Sequence, residues 1–214
     1  MNTLNFQCLM CGKCCHEVPG SENDPTYKRI PLYPEEANRL EGIAKENELE
    51  FHMIEDVVFP DVMNQKILVL TWRIMLDNEE QVCPFHDKDK GCTIQSKKPL
   101  ACLAYPLALQ TIDAFNMKIQ IDPLCKFTDL HYADLKGINA KQLEATYEEE
   151  FKHARNMLNR NKRAILHLKI LEREGKIKIP EKIDNQDFDK YLKEWERIEL
   201  DSIHIDETDY FKQG

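Results

Sequence analysis

Four cysteines fall within eight residues, Cys8-Leu-Met-Cys11-Gly-Lys-Cys14-Cys15, and the other four are Cys83, Cys92, Cys102 and Cys125. As thiolates they are metal ligands, and two residues between successive cysteines let one tight loop aim consecutive sulfurs at a single centre. A polar loop this short has too little apolar surface to fix its own shape. A metal or an iron–sulfur cluster is therefore the expected agent that gathers the sulfurs. Three sulfurs in the Cys8-x2-Cys11-x2-Cys14 repeat, plus a remote fourth, have the form of a four-iron cluster loop, whereas structural zinc favours separated Cys-x2-Cys knuckles. Gly12 helps the chain bend back. Adjacent side chains diverge, so Cys14 and Cys15 are expected to feed two neighbouring centres, or to bridge metals in one small cluster, rather than share one ion.

Eight thiolates suffice for two four-cysteine sites, of zinc or iron–sulfur type, or for one cluster with four structural thiols. Proximity suggests that Cys83 and Cys92 share a centre and leaves the rest of the partition open. His16 and His86 lie beside or near cysteines and could substitute as ligands, although surface histidines are the simpler reading. For Cys102, ahead of Leu103-Ala-Tyr-Pro, the competing reading is a small buried hydrophobe.

Composition bounds the rest. The chain of 214 residues carries a net charge of -9, with 42% hydrophobic and 31% charged residues. That is enough apolar content for a normal core, and the acidic balance argues against general nucleic-acid binding. The sequence opens Met-Asn-Thr-Leu-Asn-Phe-Gln-Cys with no basic and then apolar segment, and no run approaches the roughly 20 apolar residues of a membrane span. The expectation is a soluble, cytoplasmic protein with no membrane contact. In a reducing compartment eight cysteines read as ligands before they read as disulfides.

The elements that must position these thiols follow from periodicity. His16 to Ile30 reads as a loop. Pro34 with Glu35 and Glu36 opens a helix that carries Ala37, Leu40, Ile43 and Ala44 at helical spacing and fades near Asn47. Residues 51–60 are ambiguous, and Lys66 to Asp77 is β-prone with apolar residues on both parities. Cys83 to Ile94 reads as two short arms joined by a turn at Lys88 to Gly91 that brings Cys83 and Cys92 together. A short helical turn around Cys102 stops before Pro106. Leu107 to Ile112 and Phe115 to Ile121 form a hairpin turning at Asp113-Ala114, and Asp122-Pro-Leu-Cys125 follows.

From Ile138 to Lys176 an amphipathic helix is expected, broken near Asn159 to Asn161 and stopped by Gly175. Asp184 or Asn185 caps a last helix that buries Phe188, Tyr191, Leu192, Trp195 and Ile198. The acidic tail from Asp201 completes an α+β fold: a cysteine-rich part over 1–128 with short strands, then a helical C-terminal part over 129–214 packing on it. No internal repeat, GxGxxG or P-loop is present.

The pattern Cys-x2-Cys-Gly-x-Cys-Cys, Cys83-Pro-Phe, Gly91-Cys92-Thr-Ile, Lys98-Pro-x-x-Cys102-x-x-Tyr-Pro106 and Cys125 resembles the YkgJ-type cysteine-cluster family, whose domain is described as zinc- or iron-chelating and which includes flagellin lysine N-methylases. The resemblance covers roughly residues 6 to 128, includes the Pro34-Glu-Glu helix start, and matches all eight cysteines. It departs at Lys98, Leu103 and Tyr105, where relatives usually carry Arg, Arg and Phe. The resemblance implies a metal-binding role with S-adenosylmethionine as a further cofactor, and a protein substrate or partner.

Three functions compete. One is an iron–sulfur protein with one or two [4Fe-4S] clusters, whose chemistry is redox or methyltransferase-like. The second is a zinc module with two Zn2+ ions, whose C-terminal helices bind a partner protein. The third is a thiol enzyme with His16 or His86 as base, for which sequence adjacency is weak support. The first is the expected function and zinc the alternative; whether the protein is an enzyme stays open.

Overall fold

In the computed structural model, residues 4–16, 30–76, 82–113 and 116–200 are described. The expected loop from His16 to Ile30 falls almost wholly outside these residues, as do the tip of the 107–121 hairpin and the acidic tail.

The chain leaves the cysteine loop, makes the short strand β1 (Pro31–Leu32), and enters helix α1 (Pro34–Glu46). Proline at the first helical position needs no N–H, and the Glu36 side chain reaches back to the Tyr33 N–H at 3.0 Å. Ala37, Leu40 and Ala44 form the buried stripe, and the helix stops at Asn47 as its pattern predicts.

The ambiguous stretch resolves as strand β2 (Met53–Asp61), which turns back into β3 (Lys66–Ile74). Asp61 fixes that turn. Its buried carboxylate accepts the N–H groups of Met63 and, at 3.0 Å, of Lys178, so one side chain holds both the turn and the returning C-terminal chain.

β3 is the centre of the sheet. β2 lies antiparallel along one edge, while the other edge is shared by β1, opposite Trp72 and Arg73, and by β8 (Glu196–Glu199), parallel to Lys66–Val69. Ile67 to Leu70 are buried without alternation, so both faces of β3 are covered along this stretch, with Leu68 and Leu70 packed against Leu168 and Leu171. The cysteine-bearing arms follow: β4 (His86–Asp87), β5 (Gly91–Cys92), the short helix α2 (Leu100–Ala104), and the hairpin β6 (Leu107–Thr111) with β7 (Met117–Ile121). Helices α3 (Lys126–Leu130) and α4 (Tyr132–Leu135) lead to α5 (Ala140–Thr146), α6 (Glu148–Arg173) and α7 (Asn185–Glu194). None of the described helices is long and apolar enough to cross a membrane.

Two helical expectations need correction. α6 runs unbroken through Asn159 to Asn161, and the interruption falls earlier, at Tyr147. Asn161 is held from outside, because its Oδ1 accepts the Tyr33 hydroxyl at 2.8 Å, and this packing outweighs its weak helix propensity. Tyr147 is wholly buried beside Phe6 and Phe127, and its hydroxyl lies 3.1 Å from Thr128 Oγ1.

The second correction concerns α7. It ends at Glu194, so Trp195 lies outside it and Ile198 belongs to β8; the helix has no fully buried residue. Trp195 stacks on Tyr191 at 3.8 Å, and the Arg197 guanidinium donates to the carbonyls of Leu192 and Trp195 and to Glu55. Arg197 thus takes up carbonyls at the helix end and draws the chain into the sheet. Elsewhere the predicted stops hold. Gly175 has φ +67, with Gly175 N–H bonded to Glu172 O and Lys176 N–H to Leu171 O, a Schellman termination.

The apolar residues form three clusters. One gathers Leu32, Leu40, Ile74 and Phe85 around Cys15 and Cys83. A second joins Leu68 and Leu70 of β3 to Leu168 and Leu171 of α6 and contains no thiol. The third gathers Ala104, Phe127, Tyr147, Phe151 and Ala154 around Cys125. The stripe of α6 is therefore covered by its own chain.

Candidate metal centre

The cysteine loop begins and ends on fixed points. At its start Phe6 N–H bonds Thr146 O at 2.7 Å, and the Phe6 ring packs on Phe127 and Tyr147 at 5.0 and 5.1 Å. At its end Cys83 N–H bonds Cys15 O at 2.7 Å and His16 bridges Val82. Between these points the loop lies against the β4–β5 hairpin through two glycines. Gly12 has φ +74, and a Cβ there would overlap the His86 ring. Gly91 also has φ +74, and its Cβ would stand 3.0 Å from the Met10 carbonyl. Both positions require glycine for backbone and for space. The Cys15 N–H closes the 3-10 turn Lys13–Cys15 onto Gly12 O at 2.7 Å.

The remaining thiols are delivered by short elements. Cys92 ends β5, paired across the hairpin with His86. Cys102 rides on α2, whose first N–H, that of Leu100, bonds the buried Glu36 carboxylate at 2.7 Å. Glu36 therefore caps α1 and α2 together, and burial keeps its pKa above the usual carboxylate range despite both N–H donors. Cys125 opens α3 and is held by Asp122, which is itself tied to Pro106 O.

These elements bring the thiols to one place. Cys8, Cys11, Cys14, Cys15, Cys92, Cys102 and Cys125 line a single cavity of about 140 Å³. Cys83 is not in its wall but is joined to Cys15 by backbone and side chain. Cys8 and Cys11 are exposed, whereas Cys15, Cys83 and Cys125 are buried, so the cavity has an open and a closed side.

The expectation that Cys14 and Cys15 diverge is not met: their sulfurs stand 3.8 Å apart. Two thiolates on one tetrahedral zinc, with Zn–S of about 2.3 Å, lie roughly that far apart. Among the described residues no three Cys, His, Asp or Glu side chains are already grouped to hold a metal ion. His16 and His86 meet each other at 5.4 Å between ring centroids, outside the cavity wall.

Crowding sets the electrostatics. At Cys15 the hydrogen bond with Cys14 lowers the pKa, but the bond to Cys83, burial and the neighbouring thiol charges outweigh it and push the thiol up to about 12. Burial, then the charges of Cys14 and Cys15, raise Cys102, while Lys98 opposes them. Burial also raises Cys92. Such thiols resist ionising beside one another and give no activated nucleophile. A bound cation reverses that balance, since it takes the place of the protons, so the donor set fits a thiophilic metal.

The wall also contains Lys98, Leu103 and Tyr105, the three departures from the motif, together with Glu150. Burial, and then the charge and hydrogen bond of Asp122, hold the Tyr105 phenol well above its usual pKa. Glu150 was not visible in the sequence. It is the third of three glutamates opening α6, and nothing in that run marks the one that turns inward. Phe6, two residues before the first cysteine, joins the wall through its contacts with Phe127 and Tyr147, which no local pattern marks.

Residues 7–126 match the CxxCxxCC family, described as a "Putative zinc- or iron-chelating domain". The match spans more than half of the chain, which belongs to this family of metal-binding cysteine-cluster domains. No curated protein and no solved structure matches it.

Proposed function

We propose that the eight cysteines bind an iron–sulfur centre of the four-iron type, and that the protein's function is exercised at that centre. The observation that carries this reading is the convergence of seven thiols on one cavity with the eighth attached to it. Two independent zinc sites would need no shared cavity, whereas a polynuclear centre does. The loop cysteines Cys8, Cys11, Cys14 and Cys15 and the remote Cys83, Cys92, Cys102 and Cys125 together supply enough ligands for one or two clusters. In this reading residues 1–128 are the metal-binding region and 129–214 the helical region that closes it.

A cluster supplies one-electron chemistry when bound. The chain's own residues would hold it in place, exclude water on the side of Cys15 and Cys125, and leave it open on the side of Cys8 and Cys11. Binding of S-adenosylmethionine would require an iron free of thiolate; with eight thiols gathered, electron transfer is the reading we carry.

Zinc is the second reading, and the 3.8 Å separation of Cys14 and Cys15 favours it. Iron, zinc and acid-labile sulfide per chain, measured on protein purified without oxygen, decide between them. Iron and sulfide in equal number, about four or eight, with absorbance near roughly 400 nm, are expected. Zinc without sulfide overturns the iron–sulfur reading and makes the cysteines a scaffold.

A further inference from the structure

The charges that line the cavity are unevenly placed. Its cations are Lys13, Lys98 and Lys126, and its carboxylate is Glu150. Lys13 and Lys126 are exposed and so screened by water and salt, whereas Lys98 is half-buried. The backbone around Lys98 is pinned on both sides. Lys97 N–H bonds Ile94 O at 2.8 Å, Pro99 is fully buried, and Cys102 N–H bonds Pro99 O at 2.9 Å. The same short segment joins Cys92 and Cys102, and both thiols line the cavity together with Lys98. Leu103, on the same wall, adds no charge.

We propose that Lys98 is the counter-cation of the metal centre: held half-buried in the segment from Cys92 to Cys102, its ammonium offsets the thiolate charge, and Glu150 in the same cavity works against it. The inference rests on the cysteines being metal ligands. Thiolates around a metal leave net negative charge in a partly dry space, where uncompensated charge is costly. Lys98 shares the cavity wall with the thiols, and a close opposite charge changes such equilibria by about tenfold or more.

The test compares wild type, K98M, K98R and E150Q as full-length, metal-loaded proteins. The readout is the rate of metal loss to a chromogenic iron or zinc chelator, with the midpoint potential as a second readout if iron is bound. K98M is expected to release metal about tenfold faster and, with iron, to show a more negative potential. K98R is expected to stay near wild type, and E150Q to release metal more slowly. Opposite signs for Lys98 and Glu150, with rescue by arginine, are not produced by a loss of packing. Rates for K98M and E150Q within about twofold of wild type would overturn the proposal while leaving the metal site intact. Wild type that takes up neither iron nor zinc would overturn the metal-site reading and this inference with it.

Discussion

At the scale of residues, the site depends on atoms that are missing as much as on atoms that are present. Gly12 leaves room for the His86 ring. Placing alanine there costs about 1–2 kcal/mol for the left-handed backbone alone, before the overlap with His86 is counted. G12A should lower both metal content per chain and melting temperature. H86A should restore the part due to overlap and not the part due to backbone, which a double-mutant cycle on melting temperature resolves. Equal losses in G12A and G12A/H86A would show that the ring is not the obstacle. Exposure makes a second prediction. In metal-free protein, Cys8 and Cys11 should be alkylated by iodoacetamide first, and Cys15, Cys83 and Cys125 last. Mass spectrometry of peptides over time reads this order, and uniform labelling would contradict the closed side of the cavity.

At the scale of elements, Glu36 joins the first helix to the one bearing Cys102. Each carboxylate oxygen takes one backbone N–H, from Tyr33 and from Leu100. Glutamine can present only one acceptor, so E36Q leaves a buried N–H facing an amide and should cost about 1–3 kcal/mol in urea unfolding. An unchanged midpoint would mean that the bridge contributes nothing net. Half of this bridge was legible in the sequence. Pro34-Glu-Glu marks the start of α1, but no pattern says that Glu36 also serves a helix that begins 64 residues later. The same limit explains the other differences. The stripe of α6, the Gly175 stop and the Asp184 cap are local signals and were readable. The continuity of α6 through Asn161 depends on Tyr33, and the transfer of Ile198 from helix to sheet depends on Glu55 and β3. These are long-range contacts with no local trace. The density of the thiols was readable because no packing need explains it, and seven of them do line one cavity, while Glu150 and Phe6 join that wall only through the fold.

At the scale of the whole molecule, six of the eight thiols pack in two of the three apolar clusters, Cys8 and Cys11 lie outside them, and the third cluster holds none. Metal removal should therefore loosen the chain unevenly. Hydrogen exchange should rise around 6–16, 82–104, 125–130 and 146–154, and stay slow in Leu68, Leu70, Leu168 and Leu171. Uniform loss of protection would mean that the metal holds the entire fold. His167 makes a separate prediction from the thiol-free side. Burial lowers its pKa, so the folded chain prefers the neutral ring. Its contribution is complete above the ordinary histidine value of about 6.5 and is lost as pH falls through the lower folded value. The difference in melting temperature between wild type and H167Q should shrink on acidification over that window, and a constant difference would contradict it.

The clasp of Phe6 on Thr146 also imposes an order in time. The thiols of the first loop leave the ribosome long before the residues that close over them. At about 5–20 residues per second, the stretch from Cys15 to Tyr147 takes on the order of ten seconds to make. For most of that interval the nascent loop presents bare sulfurs with neither Cys125 nor Phe127 and Tyr147 in place. A centre built this way is completed late, and the newborn chain is most open to oxidation or to capture of the wrong ion before its second half exists.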